Sequence, residues 1–284
     1  MFSEILIYGL VQGCILALFA LGFSLVYGVG GILNLSHGGF YLITCYVIFK
    51  INEISELWVA MTIGIIVVVL IGAFTYIALI KPLQHSPVGV LIVTFAFGFL
   101  IEQFVSFSEG TGSHAIYPPW FYITLDFFGL HLQFFNIVVI VGASILVTVV
   151  ILFIKKTKLG KSIRAVAQDR EAAQLMGINT DRILIISLII SALLAGSVAI
   201  LYAGNTFQPA DAWRTLLVAF AVTIFGGMGS ISGSIIGAFI MGYAMTITQY
   251  LPGLGQYSAL VPIVIIMIML IIRPQGLLGK KEVK

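Results

Sequence analysis

Stretches of about twenty consecutive apolar residues recur along the whole chain, and each is long enough to cross a roughly 30 Å hydrocarbon core as a helix rising about 1.5 Å per residue. Such windows fall near 4–27, 32–51, 57–80, 88–107, 134–154, 183–204, 213–228, 231–250 and 257–272, which predicts eight or nine crossings. A barrel strand alternates polar and apolar residues, whereas Ile63 to Leu70 and Pro262 to Ile272 are continuously apolar. The expected fold is an all-α polytopic membrane protein, a single transmembrane domain over residues 1–284. Composition excludes the soluble alternative: with 60% hydrophobic and 9% charged residues, a chain of 284 residues cannot cover itself with polar surface.

Charge placement sets the orientation. Lys155, Lys156, Lys158, Lys161, Arg164, Arg170 and Arg182 cluster in segment 155–182, and Arg273, Lys280, Lys281 and Lys284 follow the last window. Basic short loops stay in the cytoplasm, so both belong there. Counting spans backwards puts 81–87 inside, Glu53 and Glu56 outside, and the N-terminus outside. If the glycines at 28–31 are only a helix break, the first two spans merge and the N-terminus turns inward. No Lys or Arg precedes Lys50, so a signal-peptide n-region is missing and the first apolar run is expected to remain as a membrane helix. Most of the 14 Lys and Arg sit in two loops and form no phosphate-facing patch, which argues against nucleic acid as a partner.

The external loop 108–133 carries Tyr117, Trp120, Phe121, Tyr122, Phe127 and Phe128, with Pro118 and Pro119 stiffening it. Two readings stay open: a hairpin lying on the membrane surface, or a landing surface for an external partner.

Catalytic patterns fail on spacing. Gly160-Lys161-Ser162 resembles the end of a P-loop, but Lys155 stands where its first glycine belongs. His37, His85, His114 and His131 are scattered without ligand spacing, and Cys14 and Cys45 lie inside apolar runs. The chain is not expected to be an enzyme or to bind a metal or cofactor. Carboxylates at membrane depth are scarce: Glu102 sits toward the outer end of its span, and Asp211 with Arg214 brackets the start of another.

Glycine is the richest signal, with 30 in the chain. Gly229, Gly233 and Gly237 recur at helical spacing and predict close helix packing, with Gly9 and Gly13 as a shorter ridge. Glycine breaks also occur in both halves. Tyr27 to Gly31 leads into Asn34-Leu35-Ser36-His37-Gly38-Gly39, and Phe225-Gly226-Gly227-Met228-Gly229 leads into Ser230 to Gly237. Interrupted helices in corresponding positions mark a transport path, so Asn34, Ser36, His37, Gly38, Gly226, Gly227 and Gly229 are its candidate residues.

Segment 155–182 reads as one surface helix over 162–176 ending at Gly177, with Asn179, Thr180 and Asp181 placed to cap the next span. Glu171-Ala172-Ala173 followed by Gly177 resembles the signature by which permeases of ATP-binding-cassette importers engage their ATPases. Gly13, Ala17-Leu18, Ala20-Leu21-Gly22, Tyr27-Gly28, Gly31 and the NLSHG string 34–38 resemble the N-terminal segment of the branched-chain amino acid permeases. Residues 164–182 and 226–233 resemble their coupling loop and late glycine-rich segment. The resemblance implies a heteromeric importer in a bacterial or archaeal cytoplasmic membrane: this permease, a second permease, two cytoplasmic ATPases holding ATP and Mg, and an external solute-binding protein. It implies that Arg164, Asp169, Glu171, Ala172, Ala173 and Gly177 lie at the ATPase contact, and that the solute is a branched-chain or related small amino acid. The alternative is an ion-coupled carrier or channel working alone, for which Glu102 is the candidate group.

Overall fold

The computed structural model describes residues 2–118, 123–127, 130–202 and 206–279. Pro119, Trp120, Phe121, Tyr122 and Phe128 of the external loop, and Lys280, Lys281 and Lys284 of the tail, lie outside the described residues. The helices are α1 (Phe2–Gly30), α2 (His37–Asn52), α3 (Leu57–Phe74), α4 (Pro87–Glu109), α5 (Phe134–Lys156), α6 (Lys158–Gln168), α7 (Arg170–Leu175), α8 (Thr180–Leu201), α9 (Asp211–Gly226), α10 (Ile231–Tyr250) and α11 (Val261–Ile272). Seven helical stretches among the described residues are long and apolar enough to cross a membrane. The molecule is a helical, polytopic membrane protein.

α1 is the axis. It is apolar on every side and buried almost without interruption from Val11 to Val26, as a helix enclosed by others must be. α5, α8, α9 and α10 pack around it, and α2 joins through α3, α8 and α9. α4, α5 and α11 turn large apolar side chains outward, among them Phe95, Phe99, Ile145, Val149, Met267 and Ile271. A surface of this kind is solvated by lipid.

One window comes out shorter than its hydropathy predicts, and another keeps its length but ends two residues earlier. Window 32–51 is helical only from His37, because Gly31 turns at φ 63° and the Asn34 side chain then captures its neighbour: the Ser36 N–H and hydroxyl both donate to Asn34 Oδ1, at 3.2 and 2.6 Å. Such an Asx turn competes with helix for the same backbone. Window 213–228 becomes α9, whose last carbonyls are capped by the tail: Leu277 N–H donates to Phe225 O at 2.8 Å and Leu278 N–H to Gly226 O at 3.0 Å. α2 and α9 have 16 residues each, about 24 Å of helix. Their first turns lie side by side, since a Cβ on Gly38 would stand 2.0 Å from Ala212 O.

The chain is not purely helical outside the bundle. β1 (His114–Ala115) pairs antiparallel with β4 (Thr206–Phe207), and β2 (Thr124–Phe127) with β3 (Leu130–Gln133) in a hairpin. The first ribbon fastens the 110–118 stretch to the segment preceding α9, and Phe49 stacks against both His114 and Phe207. Lys50 pairs with Glu109 at 2.7 Å at this same end.

Backbones approach closely where glycine allows it. A Cβ on Gly233 would sit 2.0 Å from Gly226 O, so α9 and α10 touch main chain to main chain. Gly237 faces Val222 and Phe225 of α9, and Gly242 faces Gly13 of α1. Gly229 lies ahead of α10, in the connecting stretch, against Gly28. Replacing Gly233 with Leu is expected to force α9 from α10 and destabilise the fold by about 1–3 kcal/mol. Thermal unfolding of the purified variant in detergent measures this, and an unchanged midpoint would show that the contact carries no weight.

Candidate functional site

Two regions at opposite ends of the bundle gather polar groups. The first is a cavity of about 280 Å³ between α1 and α9. Gln12, Ile15, Leu16 and Phe19 line it from α1, and Asp211, Arg214, Thr215 and Val218 line it from α9. Both sets follow i, i+3, i+4, i+7 spacing, so each is one helical face. Tyr41, Val198, Tyr202 and Met245 complete the wall, and Ser113, Thr206 and Gln208 form its rim. Asp211 anchors the mouth, its Oδ2 accepting the Gln208 N–H at 3.0 Å. A neighbouring cavity of about 260 Å³ shares Gln12 and Tyr202 and is lined by Asn136. That Asn136 is 4% exposed, and its Nδ2 has no hydrogen-bond partner among the described residues.

Asn34, Ser36 and His37 are buried and line neither cavity. His37 is wedged among Phe19, Phe23 and Phe40, with Nε2 3.2 Å from Phe19 O and Nδ1 3.1 Å from Ser191 Oγ. A carbonyl only accepts, so Nε2 carries the proton and Nδ1 accepts from the serine hydroxyl. These residues tie α2, α1 and α8 together and set where the cavity wall stands. Glu102 accepts a hydrogen bond from Trp213 Nε1–H and so braces α4 against the first turn of α9.

The second region lies at the basic end. A cavity of about 310 Å³ there brings together Ser24 and Gly28 of α1, Lys155 of α5, Arg164 of α6, and Gly229 with Ser230 ahead of α10. Gly28 meets Gly229, with a Cβ on either placed 3.1 Å from the other's Cα. The two glycine breaks therefore touch. Gly226 and Gly227 belong to the end of α9, where the tail closes over them.

The 162–176 stretch is two helices, not one. Asp169 adopts an extended conformation (φ −155°, ψ 111°), and its carboxylate accepts the Ala172 N–H at 2.9 Å, capping a new start. α7 ends at Gly177, φ 82°, with Gly177 N–H on Gln174 O and Ile178 N–H on Ala173 O, the paired bonds of a Schellman motif. Asn179 then caps α8 by accepting the Arg182 N–H at 3.0 Å. Ala173 is buried, whereas Glu171 and Ala172 are exposed. Arg164 donates to Ile154 O and closes the end of α5, and Arg170 donates to Gln84 Oε1 at 2.9 Å, tying α7 to the turn before α4.

Sequence reasoning missed Leu175 and Met176, which are 89% and 82% exposed at the tip of α7. Their signal is two large apolar side chains closing a short helix inside a basic loop. Replacing Asp169 with Ala is expected to cost α7 about 1 kcal/mol of cap stabilisation. Hydrogen exchange of the Ala172 to Met176 amides should then quicken about fivefold, with the α8 amides unaffected; unchanged exchange would deny the cap its role.

Residues 5–271 match the family model described as the branched-chain amino acid transport system / permease component. The chain is 28% identical over 302 residues to the high-affinity branched-chain amino acid transport system permease protein LivH of Salmonella typhimurium, covering 100% of this chain and 97% of that one. It is 35% identical over 129 residues to the fructose import permease protein FrcC of Rhizobium meliloti, covering 42% of this chain and 36% of that one. In fold it is similar to PsaBC from Streptococcus pneumoniae solved in complex with Fab, with a TM-score of 0.51, 14% identity and 97% of each chain covered.

Proposed function

Because the chain belongs to the branched-chain amino acid transport permeases, a multi-pass membrane family, we propose that it forms the translocation path for a branched-chain or related small amino acid in an ATP-binding-cassette importer. A second permease completes the path, two cytoplasmic ATPases carrying ATP and Mg drive it, and an external binding protein delivers the solute. The observation that carries this reading is the coupling segment. A water-facing stretch between two membrane helices is held rigid by three successive caps, and at its tip it exposes Leu175 and Met176 beside Glu171 and Ala172. Apolar side chains presented in this way on a basic surface suit burial in a partner protein.

The seven long spans, with α2 and α9 each extended by its non-helical approach, make nine passages. The N-terminus is then outside and the tail inside. Support comes from the end of α1, where Gly28 shares a cavity with Lys155 and Arg164. ATP binding would move α7, Arg170 and Gln84 would pass the motion to the α3–α4 turn, and α6 would pass it to the touching breaks at Gly28 and Gly229.

Purification of the tagged chain from its native membranes in mild detergent is expected to bring down the second permease and the ATPases in fixed ratio. Ala172→Arg, and separately Leu175→Ser with Met176→Ser, should lose the ATPases and the ATP-driven uptake while the chain still inserts and keeps the second permease. A chain that purifies alone and moves solute in liposomes on an ion gradient would overturn the reading, with Glu102 the first residue to replace.

A further inference from the structure

We infer that Asp211 and Arg214 bind the two charged ends of a free amino acid, Arg214 its α-carboxylate and Asp211 its α-ammonium, in the cavity between α1 and α9. This rests on the importer reading and names the chemistry of its path. The two residues are one turn apart on α9, on the face that lines the cavity, yet no ion pair joins them. The Arg214 guanidinium makes no hydrogen bond or ion pair among the described residues, its backbone N–H alone being engaged, on Ala210 O at 3.3 Å. Asp211, which lines the cavity, uses Oδ2 for the Gln208 N–H, which leaves Oδ1 without a hydrogen bond among them.

Two opposite charges held apart on one cavity wall offer a ligand that carries both signs a charge-assisted partner for each. Beside the pair, Ile15, Leu16, Phe19, Val218 and Met245 form an apolar wall against which an aliphatic side chain can lie. The volume, about 280 Å³, lies just below the range of about 300 to 1,000 Å³ typical of ligand pockets and suits a solute as small as a single amino acid. The unpartnered Asn136 Nδ2 in the adjoining cavity adds a buried donor on the same outer approach.

The test uses the complete importer in proteoliposomes, without the binding protein, carrying Thr215→Cys in the cavity wall. A membrane-impermeant thiosulfonate labels it from outside; the native Cys14 and Cys45 are buried. L-Leucine is expected to slow labelling, while leucinamide, lacking the carboxylate, and 4-methylpentanoate, lacking the ammonium, should need about tenfold more for the same protection. Adding Arg214→Gln should make leucine and leucinamide equal, and adding Asp211→Asn should make leucine and 4-methylpentanoate equal. Equal protection by all three ligands, protection by fructose instead, no protection by any, or no labelling of Cys at 215 would overturn the assignment; the ligand series alone decides it if a charge variant fails to fold. ATP-dependent leucine uptake by the unaltered importer with binding protein separates the two claims. Its absence overturns the importer reading, whereas uptake that persists in both charge variants with unchanged KM overturns only the site.

Discussion

An unpaired backbone N–H or carbonyl in hydrocarbon is costly, and the two places where this chain leaves the helix between spans are organised around that cost. In the first, the Leu35 N–H donates to the Thr94 hydroxyl, and the Asn34 side chain takes up Ser36. In the second, residues 277 and 278 supply the donors that the end of α9 lacks. With both breaks satisfied, α2 and α9 can begin abreast of each other inside the bundle. The start of α2 supplies Tyr41, and the first turn of α9 supplies Asp211 and Arg214, to the cavity facing α1.

Close packing does the rest. Hydrocarbon gives helices no hydrophobic reason to associate, so contact area must come from van der Waals fit. The main-chain contacts at Gly226 with Gly233 and at Gly13 with Gly242 bring α9 and α1 onto two sides of α10. The cavity thus has stiff walls on both sides. At the other end, the meeting of Gly28 with Gly229 stands over α6, so the breaks share one mechanical neighbourhood with the coupling segment.

Much of this was legible in the sequence where a residue acts locally. Hydropathy located the spans, Asn179 was readable as a cap, and Gly177 as a terminus, since each follows from chemistry within one turn of chain. Segment 32–36 was not, because Ile32, Leu33 and Leu35 are as apolar as any helix and only the Asn34 turn interrupts them. The split at Asp169 was hidden in the same way: a run of strong helix formers gives no sign that a carboxylate will turn back on Ala172. Asp211 and Arg214 read as charges at the edge of a span, and what places them on a cavity wall is α1, some two hundred residues away in sequence, presenting Gln12 to Phe19 opposite. His37 is the reverse case, a polar residue at a break whose hydrogen bonds go to the scaffold.

The tail that closes α9 gives the protein a temporal order. Residues 277 and 278 follow α11, so the carbonyls of Phe225 and Gly226 take their donors from a stretch synthesised after α10 and α11. The end of α9 is thereby closed by residues lying two helices further along the chain, so a change in the 276–279 stretch is felt at the α9–α10 contact rather than where it lies.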